Sequence, residues 1–413
     1  MTDTKPAVSR HAITFLFITM LIDSIGLGIV IPVTPQLIEE LTGDTISNAA
    51  VYGGWLLFVY SLAQFVCAPV LGNLSDRFGR RPVLLLSLVT VGFDYILMGL
   101  APTMIWLFIG RIISGMAGAS YSTANAYIAD ITPPEKRAQS FGLMGAAFGV
   151  GFIIGPVIGG LLGAFGPRMP FYVAAGLALA NALYGYFIIP ESLARENRRP
   201  FSWARANTFG AFAHLRSVPT ALVLATTIFF LQMAHFVLPS VWSFYVIEKF
   251  NWTTAEVGYS LGAAGLFMVL VQGGLIGKVI AMIGSERAAI VGLSFGAVGF
   301  FGYAFAPNGL AIYICLGIAS VAGLAFPSIN AIITTAVPAN AQGELQGAIS
   351  SVNGITAIIS PILMTQTFSY FTGPAAPVHF AGAPFLLSGF CNLVAIALLA
   401  RVIRRSHLKT GRT

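Results

Sequence analysis

The chain has little charge for its length. Asp, Glu, Lys and Arg make up 9% of its 413 residues, and its mean hydropathy is +0.83. Soluble domains are about one quarter charged, so this composition excludes a water-soluble globule and a disordered polar chain. Three cysteines, Cys67, Cys315 and Cys391, all in apolar runs, exclude a disulfide-stabilised secreted domain. We therefore expect no soluble enzyme.

The sequence contains many long apolar segments. A bilayer-crossing helix needs about 20 mostly apolar residues. Twelve such segments predict an all-α membrane protein with twelve transmembrane helices. The predicted spans are 12–36, 52–73, 82–101, 104–127, 141–163, 171–190, 219–247, 256–280, 287–306, 310–335, 346–370 and 382–402. The first span contains Asp23 and lacks a small-residue cleavage site, so we do not interpret it as a removable signal peptide.

Basic residues are distributed unevenly over the connections between these spans. With a cytoplasmic N-terminus, nineteen of the 22 Lys and Arg residues fall on cytoplasmic connections or tails, and only Arg168 and Lys249 on external ones. This positive-inside bias predicts a multi-pass protein of the inner (plasma) membrane with both termini cytoplasmic. It also accounts for the net charge of +7 without a nucleic-acid partner, because no basic stripe interleaved with aromatic residues is present.

The two halves of the chain resemble each other at an offset of about 205 residues. Matched positions are Gly118 and Gly323, Asn125-Ala126 and Asn330-Ala331, Pro133 and Pro338, and Gly155-Pro156 and Ser360-Pro361. The longest polar connection divides the spans six and six. We therefore predict two pseudo-symmetric six-helix bundles, at 1–190 and 218–413, joined by a cytoplasmic linker at 191–217. This organisation is common among secondary transporters.

Few ionisable side chains lie well inside the spans, and each is a functional candidate because charge in hydrocarbon is costly. They are Asp23 in span 1, Asp94 in span 3, Arg111 in span 4 and His235 in span 7. A carboxylic acid in a low-dielectric environment favours its neutral form. Asp23, and after it Asp94, are therefore the predicted proton carriers, with Arg111 acting on them through its charge. The alternative for Asp23 is a permanent structural ion pair, for example with Arg111.

Polar side chains elsewhere in the spans predict a mostly apolar cavity with a few polar groups. The candidate cavity residues are Gln64, Asn125, Gln232, His235, Met268, Gln272, Asn330 and Asn353. For each amide alone, an interhelical hydrogen bond is an equal alternative. Span 5 carries glycines at small-xxx-small spacing, which predicts close helix contact or dimerisation, and its Gly155-Pro156 pair permits bending.

No phosphate-binding loop, zinc-ligand spacing or nucleophile elbow occurs in the sequence. We therefore expect no cofactor and no metal site. Any energy for transport must come from an ion gradient, a substrate gradient or another chain.

Several motifs resemble the major facilitator superfamily, and within it the tetracycline-resistance type of drug/proton antiporter. The most specific is the loop between spans 2 and 3, Gly72-Asn-Leu-Ser-Asp-Arg-Phe-Gly-Arg-Arg-Pro82. The others are Leu21–Pro32 in span 1, Phe93-Asp94-Tyr95 in span 3, Ile109–Gly115 in span 4 and Gly149–Gly160 in span 5. The resemblance covers nearly the whole chain.

This resemblance implies an alternating-access exporter driven by inward proton flow, with a small molecule, protons and the lipid bilayer as its partners. It implies that Asp76 gates the cytoplasmic side by binding the N-terminus of span 11 near Gly347. We expect the same gating role for Gly72, Arg77, Gly79, Arg80, Gly155 and Pro156. We also expect a monomer.

Two positions depart from the pattern of the tetracycline pumps. Met268, four residues before Gln272, stands where that group has a histidine, and Gly296 stands where it has an aspartate. These departures favour a more apolar substrate than metal-chelated tetracycline. A proton symporter or uniporter of a metabolite is the alternative function, and a membrane sensor or scaffold without transport is a third.

Overall fold

The computed structural model describes residues 10–118, 121–133, 136–203, 219–335, 337 and 342–410. Every regular element in these ranges is a helix, which confirms the all-α prediction. The α-helices are α1 (Arg10–Val30), α2 (Thr34–Thr42), α3 (Ile46–Phe78), α4 (Arg80–Gly99), α5 (Met104–Gly118), α6 (Tyr121–Ile131), α7 (Arg137–Gly163), α8 (Met169–Ile188), α9 (Pro219–His235), α10 (Val237–Phe250), α11 (Thr254–Leu270), α12 (Ile276–Phe305), α13 (Gly309–Ser320), α14 (Ala325–Thr335), α15 (Gln342–Thr372) and α16 (Ala383–Thr410). A π-helical turn, Val271–Leu275, joins α11 to α12.

Ten helical segments among the described residues are long and apolar enough to cross a membrane, and the bent pair Thr14–Val30 and Thr34–Thr42 makes an eleventh. One of the ten, Thr254–Phe305, has 52 residues. A helix of that length measures roughly 78 Å, more than twice the thickness of the hydrocarbon core. Gly284 interrupts it with a φ of 78°, between the predicted spans 8 and 9. Counted as two spans at this break, the segment accounts for the predicted twelve.

The chain folds into two compact units. The first holds the described parts of Met1–Gly43, Val59–Thr208 and Thr253–Gly262, and the second those of Asp44–Phe58, Phe209–Trp252 and Ala263–Thr413. Helices α3 and α11 therefore each contribute residues to both units. The bundle boundaries at 190 and 218 stay a prediction. Outside the described residues lie 204–217 of the predicted linker, together with Lys5, Arg205, Arg216, Pro338 and Arg412.

Glycines allow α7 to pack directly on the backbone of α1 in the first unit. Gly155 faces the backbone oxygen of Ile25, and Gly159 faces that of Ile29, one turn further along both helices. A β-carbon on Gly155 would lie 2.6 Å from the Ile25 oxygen, and one on Gly159 would come closer still to Ile29. The small-residue spacing of span 5 thus serves a contact within the chain, where close approach increases van der Waals packing between helices.

A second face of α7 packs on the start of α11. A β-carbon on Gly258 would collide with the backbone oxygen of Pro156. In the second unit, a β-carbon on Gly54 of α3 would lie 3.1 Å from the backbone oxygen of Pro361 in α15. Pro156 and Pro361 are matched positions of the internal repeat. The repeated sequence therefore reproduces one packing contact, a glycine against a proline carbonyl, once in each unit.

The second unit has an apolar core and an aromatic cluster. Helices α9, α12, α14, α15 and α16 contribute buried residues to one continuous apolar core. Beside it, Trp242 packs edge to face against Tyr303 and Phe385, with ring centroids 5.2 and 6.0 Å apart. Edge-to-face pairs of this kind stabilise beyond the area they bury.

We predict that Gly159→Ala lowers the stability of the protein by about 1–3 kcal/mol, because the added methyl group meets the α1 backbone, which cannot move aside without displacing a helix. The measurement is thermal unfolding of the purified protein in detergent. Gly145→Ala is the matched control on the same helix, since no atom lies within 4 Å of its β-carbon position. An equal decrease in stability in both variants would contradict a role of Gly159 in the α1–α7 contact.

Candidate functional site

A cavity of about 190 Å³ lies inside the first unit, lined by residues of α1, α3, α4, α5, α6, α7 and α8. Most of its wall is apolar, and its polar side chains come mainly from α1, α3 and α4. The polar lining residues are Thr19, Asp23, Ser24, Tyr60, Gln64, Ser87, Tyr95 and Ser114. Asp23 is the one formally charged side chain among the lining residues that the structure describes.

Asp23 faces this cavity because neighbouring residues of α1 fix the rotation of the helix. The Ser24 hydroxyl donates a 2.7 Å hydrogen bond to the backbone oxygen of Phe148 in α7. Gly26 makes room for the Tyr95 hydroxyl, which lies 3.1 Å from where its β-carbon would be. Asp23 itself has no ion-pair or hydrogen-bond partner among the described residues.

The second intramembrane acid, Asp94, is paired. Its side chain is completely buried, and its Oδ2 lies 3.8 Å from Nη2 of Arg111 in α5. The same nitrogen is 2.8 Å from the sulfur of Met98. Gly110 leaves space for the carboxylate, since a β-carbon there would lie 2.7 Å from Oδ1. Arg111 therefore pairs with Asp94 rather than with Asp23, the partner that the sequence suggested as an alternative.

Tyr60 of α3 connects the ion pair to the cavity. The Arg111 guanidinium lies over its ring, 5.8 Å from the centroid, and the Gln64 amide donates to its hydroxyl at 3.5 Å. Gly118 of α5 accommodates that hydroxyl, which would lie 2.9 Å from a β-carbon there. Tyr60 and Asp23 line the same cavity. The sequence prediction missed Tyr60, although it lies one helical turn before Gln64.

Within the first unit, the structure brings together some predicted site residues and not others. Asp23 and Gln64 line one cavity, and Asp94 and Arg111 lie behind Tyr60. Asn125, on α6, is outside the cavity lining. Thr19, one turn before Asp23, was not predicted; it donates to the amide oxygen of the buried Asn181 at 3.3 Å.

The predicted cavity residues of the second unit have varied surroundings. His235 Nδ1 lies 3.3 Å from the Leu231 backbone oxygen of its own helix, and its ring packs edge to face on Phe300. Gln232 is half-buried, one turn before His235, and Met268 is 42% exposed. Gln272 lies in the π-helical turn, and Asn330 and Asn353 each have a buried side-chain oxygen with no hydrogen-bond partner among the described residues. Their role in a substrate cavity stays a prediction.

The junction of α3 and α4 carries a charge cluster around Arg80. Its guanidinium lies 2.6 Å from the carboxylate of Asp76 and 3.3 Å from that of Asp130 at the end of α6. It also donates to the Ser75 hydroxyl at 2.6 Å. The predicted contact of Asp76 with span 11 stays a prediction. Arg77 is exposed and lies over the ring of Phe78, 5.1 Å from its centroid.

Glu191, which follows α8, caps the first turn of α4. Its carboxylate accepts the backbone N–H groups of Arg80 at 2.8 Å and Arg81 at 3.3 Å. A carboxylate at this position favours the positive end of the helix dipole. Gly79 has a φ of 106°, and a β-carbon on it would collide with the Glu191 carboxylate. This cap was not predicted, because no pattern along the chain links residue 191 to residue 80.

Comparison with known proteins identifies the family of the chain. The Major Facilitator Superfamily profile matches residues 16–361. The chain belongs to the major facilitator superfamily. Within the superfamily it is 36% identical to the class C tetracycline resistance protein of Escherichia coli, over 95% of this chain and 97% of that protein. It is 27% identical to multidrug resistance protein 2 of Bacillus subtilis (strain 168), over 95% of this chain and 96% of that one.

Among solved structures, a bacterial homologue of the human lysosomal transporter Spinster matches with a TM-score of 0.75. It is 17% identical, and the alignment covers 97% of this chain and 98% of that one. This likeness shows the fold. The resemblance seen in the sequence motifs to the tetracycline-resistance group of the superfamily is confirmed, and the protein is a multi-pass membrane transporter.

For this transporter we predict that Arg111→Gln lowers the free energy of unfolding by about 3 kcal/mol, because it leaves Asp94 buried without a cation. Adding Asp94→Asn should recover part of the loss, since the double variant no longer contains an unpaired charge. Thermal unfolding of the wild type, both single variants and the double variant gives the coupling energy. Strict additivity of the two substitutions would show that the 3.8 Å contact contributes no coupling.

We also predict that Gly79→Ala destabilises the transporter by about 1–3 kcal/mol, because a side chain at positive φ is strained and the methyl group would displace Glu191. Gly72→Ala is the control in the same motif, since the nearest atom to its β-carbon position is the Ser122 hydroxyl at 3.9 Å. Unfolding temperatures of the two variants test this. Similar values for both would contradict the capping role of Glu191.

Proposed function

We propose that this protein is a proton-coupled secondary transporter that exports an amphipathic small molecule by alternating access. It works in the inner (plasma) membrane as a monomer with both termini in the cytoplasm, and needs no cofactor. Membership of the superfamily and the drug-resistance names of its relatives support export of a drug-like compound. The observation that carries the proposal is an acid without an ionic partner, Asp23, lining an apolar cavity.

Asp23 is the proton carrier in this proposal because its charge is not compensated by a cation. An ionised carboxylate without a partner is costly away from water, so uptake of a proton removes that cost. Asp94 has Arg111 3.8 Å away, and the pair compensates itself. Asp94 and Arg111 then act on Asp23 through Tyr60, which contacts the pair and lines the cavity.

In the proposed transport cycle, a proton and the substrate compete for Asp23. A proton from outside binds Asp23 and releases the substrate held near the carboxylate. The protonated carrier then exposes Asp23 to the cytoplasm, where the proton leaves and a new substrate binds. Asp76 and Arg80 at the cytoplasmic loop, and Gly155 and Pro156 in α7, take part in the accompanying gating.

The substrate is more apolar than a metal-chelated tetracycline in this proposal. Met268 and Gly296 are uncharged, and they occupy the two positions of the second unit where the tetracycline pumps have a histidine and an aspartate. The space beside Gly296 is filled, since the Asn392 amide nitrogen lies only 2.5 Å from the position of a β-carbon there. Asn392 is fully buried and donates to the backbone oxygen of Leu293 at 3.4 Å, so an amide occupies the place where a longer side chain at 296 would extend.

We predict that Asp23→Asn abolishes transport driven by a pH gradient, because asparagine can neither take up nor release the proton. The assay is drug flux in proteoliposomes with an imposed gradient, and Glu248→Gln, on α10 of the second unit, is the acidic control that should retain flux. Transport by Asp23→Asn at the wild-type rate would disprove the assignment. Alkalinisation of the outside medium on adding substrate would instead indicate symport.

A susceptibility panel in an efflux-deficient host, tetracyclines included, identifies the substrate. Protection by the wild type and its loss in Asp23→Asn would support proton-driven export. Protection against other compounds but not tetracycline would agree with Met268 and Gly296. Absence of gradient-dependent flux for every compound would favour a sensor or scaffold.

A further inference from the structure

The chain that follows α8 returns to the junction of α3 and α4. The backbone N–H of Arg199 donates to the backbone oxygen of Asp76, the residue before Arg77, at 3.1 Å. A β-carbon on Gly79 would lie 3.0 Å from Nη2 of Arg198. The described start of the predicted linker is therefore held against the ends of α3 and α4 and does not extend away from them.

The arginines around this junction are of two kinds. Three have protein partners, either an acid or a backbone oxygen, and these are Arg80, Arg81 and Arg198. The other three are exposed and form no ion pair in the described part of the chain, and these are Arg77, Arg195 and Arg199. Glu196 is the exposed acid beside them, so positive charge stays in excess. This excess is available to an anion from outside the protein.

Exposed aromatic side chains accompany the three free arginines. Trp203 is 75% exposed and packs edge to face on Phe201, with ring centroids 5.0 Å apart. Phe78 is exposed beneath the guanidinium of Arg77, and Phe187, at the end of α8, is 73% exposed. Aromatic rings, tryptophan above all, are enriched at the level of the lipid headgroups, where apolar and polar surroundings meet. The surface therefore combines cations with the side chains typical of the membrane boundary.

A phospholipid headgroup is the anion that fits this position. Arginine presents parallel N–H donors that match the oxygens of a phosphate. Phe187 belongs to a helix long and apolar enough to span the membrane, so its exposed ring contacts lipid. A ligand at the junction thus meets hydrocarbon on one side and guanidinium groups on the other. A soluble phosphate compound or an acidic protein would leave the apolar side of this surface unused.

We infer that the surface formed by Arg77, Arg195, Arg199 and Trp203, here called the linker surface, binds the headgroup of an anionic phospholipid. The guanidinium groups bind the phosphodiester, and the indole ring packs at the boundary between headgroups and acyl chains. The inference goes beyond the proposed function, because it concerns neither the transported compound nor the proton.

The test measures lipid binding to the purified full-length protein in detergent by native mass spectrometry. The probes are dimyristoylphosphatidylglycerol, which is anionic, and dimyristoylphosphatidylcholine, which has the same acyl chains and no net charge. Glycerol 3-phosphate, which has a phosphate but no acyl chain, is the soluble competitor.

Two double variants remove the same amount of charge from different places. Arg195→Gln with Arg199→Gln changes the linker surface, and neither arginine has a side-chain ion pair to lose among the described residues. Arg401→Gln with Arg404→Gln is the matched control, because both arginines are exposed near the end of α16 in the second unit. Size-exclusion profiles and circular dichroism check that each variant is folded.

We expect the wild type to bind phosphatidylglycerol about tenfold more tightly than phosphatidylcholine, since each arginine near an anionic headgroup adds to the affinity. The linker-surface variant should lose most of this preference, and the α16 control should keep it. Trp203→Ala should weaken binding of both lipids, because the indole ring contacts the part that they share.

Equal binding of the two lipids by the wild type would overturn the inference, whether or not the variants fold. An equal loss of preference in the two double variants would also overturn it, since it would reflect total charge and no particular surface. Displacement of phosphatidylglycerol by an equal concentration of glycerol 3-phosphate would assign the surface to a soluble phosphate compound instead. Binding is measured without a pH gradient or a substrate, so failure here leaves proton-coupled export standing, and failure of the flux assay leaves the lipid site standing.

Discussion

The pairing of Arg111 with Asp94 determines which charged side chains of the first unit are compensated inside the membrane spans. Ionised groups in hydrocarbon need partners, and Arg111 is the one cation that the sequence places well inside a span. Its Nη2 lies 3.8 Å from the Asp94 carboxylate, and its guanidinium lies over the ring of Tyr60. Arg111 therefore pairs with Asp94. Asp23 is left without a cation partner among the residues that the structure describes. Had Arg111 paired with Asp23, the cavity lining would contain no carboxylate without a cation partner.

The glycine contacts of α7 determine where Asp23 points. In an α-helix, residues two positions apart differ by about 200° around the axis, so they lie on nearly opposite faces. Ile25 and Ile29 present their backbone to Gly155 and Gly159, and Asp23 therefore lies on the opposite side of α1, toward the cavity. The contact that holds α1 in place therefore also sets the direction in which Asp23 points.

Hydropathy predicted nearly all of the fold, since a helix that crosses lipid must be long and apolar whatever its neighbours are. The charged candidates were found for the same reason, because Asp23, Asp94 and Arg111 stand out in apolar runs. Which acid Arg111 pairs with could not be predicted, since that depends on which helices are adjacent. Tyr60 gave no signal among many aromatic residues, and its role follows from lying under Arg111 and beside the cavity.

The charge cluster around Arg80 shows how cations that predict the topology can also stabilise the folded structure. The positive-inside rule counts Lys and Arg and is insensitive to acidic residues, because orientation is decided as the chain inserts. In the folded chain Arg80 is matched by Asp76 and Asp130, and Arg198 lies 3.9 Å from Glu191. Arg80 and Arg198 therefore have acidic partners in the folded chain. The partly exposed ion pairs of the cluster contribute little individually to stability.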